Sequence, residues 1–176
     1  MRRAGIPPAV TPAYLERAAL HYLERYASTA ENLRRVLLRK ARRRLGERGD
    51  PDDGLDADIA AVVERAVGSG LVDDGRFAEM KVGSLARRGT STRAMRLRLR
   101  SKGVPADAAD AALAGFGADE LALARRHAER KRLGPYRVPR DPGSRQRDIA
   151  ALCRAGFPYR IAAQVTDEAV DDRDGS

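Results

Sequence analysis

"GLVDDGRFA", residues 70–78, decides how the chain folds, because its two aspartates and glycine suit a metal loop, a hairpin turn or a helix start. A calcium loop needs oxygen ligands two residues apart ahead of its glycine, and Val72 stands at one such position. A hairpin needs alternating strands on both sides, and none flank the stretch. As a helix start, Asp73 is the N-cap, Asp74 lies near the positive end of the helix dipole, and Val72 and Phe77 have the spacing of a hydrophobic staple. We therefore predict that one helix ends here and the next begins.

A helix, turn, helix pattern recurs when three leucines are aligned: Leu37, Leu99 and Leu152. Eight residues before each stands a hydroxyl residue that suits a helix N-cap: Thr29, Ser91 and Ser144. After the second and third leucines come glycine, apolar, proline turns at Gly103 and Gly156, where proline suits the first position of a new helix. This self-similarity predicts a tandem repeat.

The segment "MRLRLR", residues 95–100, alternates as a half-buried strand does. Its counterparts around Leu37 and Leu152 have helical spacing, and no partner strand is visible, so we predict a helix. With 5% aromatic residues and no Trp, the core must come from Ala, Leu and Val, which also favours closely packed helices.

The predicted fold is therefore all-α, with three tandem three-helix repeats. Its segments are a flexible arm at 1–12, repeat 1 at 13–69 with a polar insert at 42–55, repeat 2 at 70–117, repeat 3 at 118–166 and an acidic tail at 167–176. Six aromatic residues fit apolar helical stripes and are predicted to lie in the core: Tyr14, Tyr22, Tyr26, Phe77, Phe116 and Phe157.

Charge and composition restrict the function. Lys and Arg number 34 against 25 Asp and Glu, a net charge of +9 that favours a polyanion or an acidic protein surface as partner, although an Arg-rich soluble protein explains part of the excess. The single Cys153 cannot form an internal disulfide, which favours a reducing compartment, so we expect a cytoplasmic protein. We predict that Cys153 is a small buried residue. No apolar run approaches the ~18 residues of a membrane span.

The sequence contains no pattern of residues that is typical of a catalytic site. His21 and His127 lie far apart among helical charged residues, without a nucleophile or acid patterned around either, and we interpret both as surface or packing residues. Zinc spacing, a phosphate loop and a catalytic triad are all missing. We therefore predict a protein that is not an enzyme and has no catalytic residue, cofactor or metal site.

The order and spacing of several motifs resemble the RecX family of bacterial RecA regulators. The motifs are the stretch 70–78, Arg88-Gly89 and "LRSKGV" at 99–104, within a resemblance that covers roughly residues 13–165. It implies an all-helical, curved protein that lies in the helical groove of a RecA recombinase filament. Members of the family inhibit ATP hydrolysis and strand exchange or promote filament disassembly, so the resemblance implies a regulator that inhibits the filament's ATPase, growth and strand exchange in recombination, DNA repair and the SOS response. The simplest expectation for its oligomeric state is an elongated monomer.

Basic segments are the predicted contact surface. Between residues 87 and 102 there are seven basic residues and no acid, and the first and third repeats have similar runs. The alternative is an ordinary solvated helix face. The candidates for filament or DNA binding are Arg87, Arg88, Arg93, Arg96, Arg98, Arg100, Lys102, Arg34, Arg35, Arg39, Lys40, Arg125, Arg126 and Arg130, of which Arg93, Arg96 and Arg100 share one helix face. The structural candidates are Asp73, Asp74, Phe77 and Gly103.

A second function stays open at this point. The helix, "SKGVP" turn and helix also resemble a helix-turn-helix, which predicts weaker, nonspecific binding of single- or double-stranded DNA. Base recognition favours Arg, Asn or Gln at the start of the second helix, where this chain has Pro105-Ala106-Asp107-Ala108. Sequence-specific recognition is therefore disfavoured, and phosphate binding is not.

Overall fold

The computed structural model describes residues 9–46, 54–139 and 142–168. Across these ranges the chain forms nine α-helices and two short 3₁₀ segments, Gly134–Tyr136 and Pro142–Ser144, and contains no strand. The helices fall into three consecutive groups of three: α1 (Pro12–Leu23), α2 (Ala30–Leu45), α3 (Leu55–Gly68), α4 (Asp74–Arg87), α5 (Thr92–Ser101), α6 (Ala106–Phe116), α7 (Glu120–Lys131), α8 (Arg145–Arg154) and α9 (Tyr159–Asp167). The predicted all-α class is confirmed.

The described chain divides into two compact units. The first holds the residues up to Phe77 together with Lys102–Pro105, and the second holds Ala78–Ser101 and the residues from Ala106 onward. The α5–α6 turn therefore packs with the first unit, although the helices on either side of it belong to the second.

The core of the first unit lies among α1, α2 and α3. Leu33 and Leu37, one helical turn apart on α2, are fully buried against Leu15 of α1 and Ile59 of α3. The apolar stripe of α3 has a spacing of three and four residues, so its buried side chains line one face of that helix. In the second unit the fully buried large side chains include Met95, Leu99, Leu123, Leu152 and Val165.

The "MRLRLR" segment forms the middle of α5, as predicted. Met95 and Leu99, four residues apart, are fully buried, whereas Leu97 between them is 58% exposed. A strand would have placed all three side chains on one face, so the burial pattern follows the helical period.

The opening stretch is a helix start, as predicted. The Asp73 carboxylate accepts the Arg76 N–H at 2.9 Å, and the Asp73 carbonyl accepts the Phe77 N–H at 3.0 Å. Val72 is buried in the core of the first unit, while Phe77 is only half-buried. Asp73 therefore caps α4, and Phe77 contributes less to the core than a buried ring would.

In the first unit, two hydrogen bonds hold the start of α2 to distant parts of the chain. The Thr29 hydroxyl accepts the N–H three residues on at 3.1 Å, as an N-cap, and donates to the Lys102 carbonyl at 2.6 Å. The Asp74 carboxylate accepts the Ala30 N–H at 2.9 Å. These four residues and Gly103, which follows Lys102 in the α5–α6 turn, form what we term the first junction.

The second unit repeats this arrangement at the start of α5. The Ser91 hydroxyl accepts the N–H three residues on at 3.3 Å and donates to the Ala155 carbonyl at 2.7 Å. The Glu120 carboxylate accepts the Thr92 N–H at 3.3 Å. Together with Gly156 in the α8–α9 turn, these residues form the second junction.

The third predicted N-cap has a different role. Ser144 occupies the N-cap position of α8, but its hydroxyl donates to the buried Asp148 carboxylate at 3.3 Å. Asp148 also accepts the Gly134 N–H at 2.9 Å and pairs with the Arg137 guanidinium. Burial acts to raise the pKa of Asp148, but the Arg137 guanidinium and the Gly134 N–H outweigh it and hold that pKa below its usual value. This carboxylate thus stabilises the segment between α7 and α8.

Two predicted segment boundaries at the start of the chain shift. α1 begins at Pro12 rather than beyond it, because the Thr11 hydroxyl caps it and Pro12 suits the first turn. Val10 packs against the core, so the described end of the predicted arm is anchored, and residues 1–8 lie outside the described part. α2 extends to Leu45, because basic residues in its last turn complement the helix dipole.

The boundaries of the predicted insert and of the acidic tail also differ from the prediction. Leu55 is the buried first residue of α3, so only 47–53 of the insert lie outside the described residues. Asp167 ends α9 and Glu168 follows it, whereas 169–176 lie outside the described part. Both acidic residues form ion pairs with arginines of their own unit.

Some side chains predicted to be buried are exposed. Tyr26 is 57% exposed and Phe116 43% exposed, because each lies at or beyond the end of a helix. Phe157 is buried as predicted, while Cys153 is half-buried and open to solvent on one side. Pro158 takes the N-cap position of α9 rather than the first helical position, since its carbonyl accepts the first helical hydrogen bond.

Candidate functional site

The basic residues of α2 do not all present free charge. Arg34 and Arg35 both bind the Glu31 carboxylate, at 3.1 and 2.7 Å, and these contacts hold the pKa of Glu31 below its usual value. The glutamate precedes the two arginines by three and four residues, so the sequence already contained this signal. Arg39 is exposed and Lys40 half-buried on the same helix. Two of the four predicted contact residues of α2 are therefore partly neutralised.

The α5 cluster also separates into paired and unpaired arginines. Arg96 binds Asp110 of α6 at 2.9 Å, so a carboxylate outside the acid-free segment 87–102 pairs with one of its arginines. The partner was missed because it lies fourteen residues on, across the turn. The other basic residues of this cluster are exposed and form no ion pair within the described residues. They are Arg87, Arg88, Arg93, Arg98, Arg100 and Lys102.

On α7, one of the three predicted residues is held by a carboxylate. Arg125 makes a two-pronged contact with Glu168 at 2.7–3.1 Å. Arg126 and Arg130 are exposed, and neither has an ion-pair partner in the described part of the chain. Of the three α7 candidates, Arg126 and Arg130 therefore remain without an ion-pair partner in the described residues.

Arginines from α5 and α7 converge around His127. Its Nδ1 lies 3.0 Å from the Gly89 carbonyl, and its ring makes an edge-on contact with Phe157 at 5.5 Å between centroids. Burial lowers the pKa of His127, and the nearby positive charges of Arg130, Lys131 and Arg98 lower it further, against the effect of the Gly89 carbonyl. His127 is therefore a packing residue, as predicted, and its lowered pKa favours the neutral imidazole. Arg98, Arg130 and Lys131 together are termed the His127 basic cluster.

Gly89 allows this convergence. It has a φ of +60°, and a Cβ placed there would lie 2.5 Å from the His127 backbone N. Only glycine permits the end of α4 to approach the α7 backbone so closely. Gly89 belongs to the Arg88-Gly89 motif, so this motif supplies a structurally required glycine as well as a basic residue.

Within the described residues, no group of three or more His, Cys, Asp and Glu side chains is placed to hold a metal ion. Nor does any helix in the described ranges have the length and apolar character needed to cross a membrane. The exposed His21 lies 3.9 Å from the Glu24 carboxylate, an ordinary surface contact.

Comparison with known proteins gives concordant matches. The family model "RecX, second three-helix domain" matches residues 73–113. The chain is 46% identical over 171 residues to a protein of Myxococcus xanthus named "Regulatory protein RecX", covering 92% of this chain and 88% of the relative. A relative with the same name from Agrobacterium fabrum is 33% identical over 168 residues, covering 90% of this chain and 87% of the relative.

Solved structures show the same fold. "Crystal structure of RecX from Lactobacillus salivarius" matches with a TM-score of 0.66 at 19% identity, covering 88% of this chain and 93% of that one. "Crystal structure of regulatory protein RecX" matches with a TM-score of 0.65 at 21% identity, covering 89% of this chain and 72% of that one. At these identities the likeness concerns the fold alone.

Proposed function

This chain belongs to the RecX family of regulatory proteins, and from that premise we propose that it binds the RecA recombinase filament and inhibits its ATPase, growth and strand exchange. Regulation through binding also agrees with the prediction that the chain is not an enzyme, since the relatives are named as regulatory proteins. A cytoplasmic location and a monomeric state are part of the same proposal.

The observation that carries the contact proposal is the His127 basic cluster. Arg98 comes from α5, and Arg130 and Lys131 come from α7, so two predicted basic segments contribute positive charge near His127 in the second unit. All three side chains are exposed and lack a carboxylate partner in the described part of the chain. Clustered cations without compensation favour an anionic surface, which both DNA phosphates and an acidic protein groove provide.

The proposal is tested by binding of labelled protein to RecA filaments on single-stranded DNA and to the naked DNA, across a salt series. Binding to phosphates alone weakens steeply as the salt concentration rises, because such binding releases condensed counterions and this release is less favourable at high salt. We expect filament binding to persist at salt concentrations where binding to naked DNA has vanished, and the filament's ATPase to fall. Equal, steeply salt-sensitive binding to both would contradict the recombinase function.

A double variant tests the contact surface. We expect Arg98→Gln with Arg130→Gln to weaken filament binding about tenfold, or ~1.4 kcal/mol, because two charges leave the cluster. Arg17→Gln with Arg25→Gln is the matched control, since it removes two exposed arginines of the first unit that lie outside the predicted clusters. Equal effects of the two double variants at matched salt would show that only net charge matters.

The structure adds one observation for the helix-turn-helix alternative. The α5–α6 turn exists as predicted, but the exposed start of α6 offers Asp107 and no base-reading donor. This counts against base recognition by α6 and leaves nonspecific phosphate binding by the basic segments as what remains of the alternative. It would therefore accompany regulation of the filament rather than replace it.

A further inference from the structure

A cleft in the second unit has features that neither the fold nor the His127 basic cluster requires. It lies between α5 and the α8–α9 turn, has a volume of about 340 Å³ and opens to solvent. Its lining includes Arg93 and Leu97 of α5, and Cys153 and Arg154 from the end of α8. We term it the Arg93–Arg154 cleft.

Two guanidinium groups give this cleft its positive charge. Arg93 and Arg154 are exposed, and neither has an ion-pair partner among the described residues. Guanidinium groups bind phosphate oxygens through paired N–H donors, so two of them lining one cleft suit an anionic group. Leu97, exposed on the same wall, adds an apolar surface beside the two cations.

Comparison with the first junction shows that the fold does not need a cation here. Arg93 stands two residues after the N-cap Ser91, and the residue two after the N-cap Thr29 is Glu31. In the first junction that position carries an acid which neutralises Arg34 and Arg35. The same position of the repeat is therefore acidic in one place and basic in the other, so packing of the repeat does not require a cation at Arg93.

We propose that the Arg93–Arg154 cleft binds the phosphodiester backbone of a single nucleic-acid strand. A single strand is flexible enough to enter a concave site, where a phosphate meets the two guanidinium groups and the sugar or base contacts Leu97. Grooves that bind single strands combine positive charge along the backbone with apolar surface for the bases. A duplex presents a stiffer, convex backbone, which suits a concave site less well than a flexible strand does. The assignment deepens the proposed function, because a recombinase filament carries such a strand.

Cys153 makes the test direct. It is the only cysteine in the sequence, it is half-buried, and it lines the cleft, so its alkylation by neutral iodoacetamide reports whether the cleft is occupied. At a single-strand concentration about ten times its Kd, we expect alkylation of the full chain to slow roughly tenfold, by mass action. Parallel samples contain a duplex of the same sequence, inorganic phosphate or poly-glutamate, and fluorescence anisotropy measures strand binding in each preparation.

Variants then assign the effect. We expect Arg93→Gln with Arg154→Gln to abolish protection of Cys153, while Arg17→Gln with Arg25→Gln, which removes the same charge, leaves it intact. Circular dichroism confirms that each variant is folded, and Arg154→Gln alone serves if the double variant is not. Protection only by the single strand supports the cleft site.

Three results overturn the proposal: no strand binding, strand binding with an unchanged alkylation rate, or equal protection by duplex, phosphate or poly-glutamate. No recombinase is present in the assay. A negative result for the cleft therefore does not contradict the proposed filament function. Likewise, a failure to regulate the filament would not contradict strand binding in the cleft.

Discussion

The first and second junctions use the same hydrogen bonds but fill the space beside their turn glycines differently. In each, an N-cap hydroxyl donates to the carbonyl before a glycine, at 2.6 Å from Thr29 and 2.7 Å from Ser91. A Cβ on Gly103 would meet Glu31 Cβ at 2.7 Å, whereas a Cβ on Gly156 would meet the Ser91 hydroxyl oxygen itself at 2.5 Å. The neighbour is a half-exposed side chain in one junction and a fully buried, hydrogen-bonded hydroxyl in the other.

This difference teaches that a repeated hydrogen-bond pattern does not imply equal tolerance to change. The Glu31 atoms that a Cβ on Gly103 would meet are Cβ and Cγ, at 2.7 and 2.8 Å, and since Cβ is fixed by the α2 backbone, relief there needs a shift of the helix. The Ser91 hydroxyl oxygen can rotate away about the Cα–Cβ bond, at the loss of its hydrogen bonds with the Ala94 N–H and the Ala155 carbonyl. We therefore expect the first junction to be the less tolerant of a methyl group at its turn glycine.

The largest effect is expected from adding a methyl group at the turn glycines. Gly156→Ala should lower the free energy of unfolding by about 3–4 kcal/mol, because strain at a φ of +98° adds to overpacking against Ser91. Gly103→Ala, at a φ of +80°, should cost more, about 4–6 kcal/mol, because strain adds to overpacking against Glu31 Cβ, which cannot rotate away. Urea unfolding followed by circular dichroism measures both variants. A cost at Gly103 equal to or below that at Gly156 would refute the difference in tolerance.

A double-mutant cycle separates strain from overpacking. Ser91→Ala should cost about 1–2 kcal/mol, because the Ala155 carbonyl and the Ala94 N–H both lose their partner. In that background Gly156→Ala should become cheaper by about 1–3 kcal/mol, since the clashing oxygen is gone.

The matched cycle is Thr29→Ala with Gly103→Ala. The Thr29 hydroxyl oxygen would lie at 3.4 Å from a Cβ on Gly103 and is not its nearest neighbour, so we expect coupling below about 0.5 kcal/mol. Equal coupling energies in the two cycles would show that the hydroxyls, rather than Glu31, dominate both junctions.

Much of this framework was predictable, because it depends on residues close in sequence. Thr29 and Ser91 were recognised as N-caps from their spacing to buried leucines, and Gly103 and Gly156 as helix stops. That the same hydroxyls also donate to Lys102 and Ala155, 73 and 64 residues away, was not predictable, because only the packed helices bring these groups together. Local patterns thus predict the repeat, and tertiary contacts decide how repeats join.

The same limit applies to the candidate site. The runs of arginine were visible in the sequence, but the pairing of Arg96 with Asp110 and of Arg125 with Glu168 depends on helix packing. The Arg93–Arg154 cleft joins residues about sixty positions apart, and Arg154 was absent from the sequence candidates. Charge composition therefore identified the right segments, while the structure decided which cations remain unpaired.

The smallest effect concerns the carboxylates that cap the neighbouring helix. Asp74 accepts the Ala30 N–H at 2.9 Å, whereas Glu120 accepts the Thr92 N–H at a longer 3.3 Å. Both carboxylates lie at the positive end of a helix dipole, where a negative charge contributes about 0.3–1 kcal/mol. Replacing each by its amide keeps an acceptor oxygen and removes the charge, so urea unfolding should show a loss of about 1 kcal/mol for Asp74→Asn and about 0.5 kcal/mol for Glu120→Gln. Raising the salt concentration should reduce both losses of unfolding free energy, because screening weakens a charge–dipole interaction more than a hydrogen bond. Losses that do not change with salt would mean that the acceptor geometry, and not the charge, holds the two junctions together.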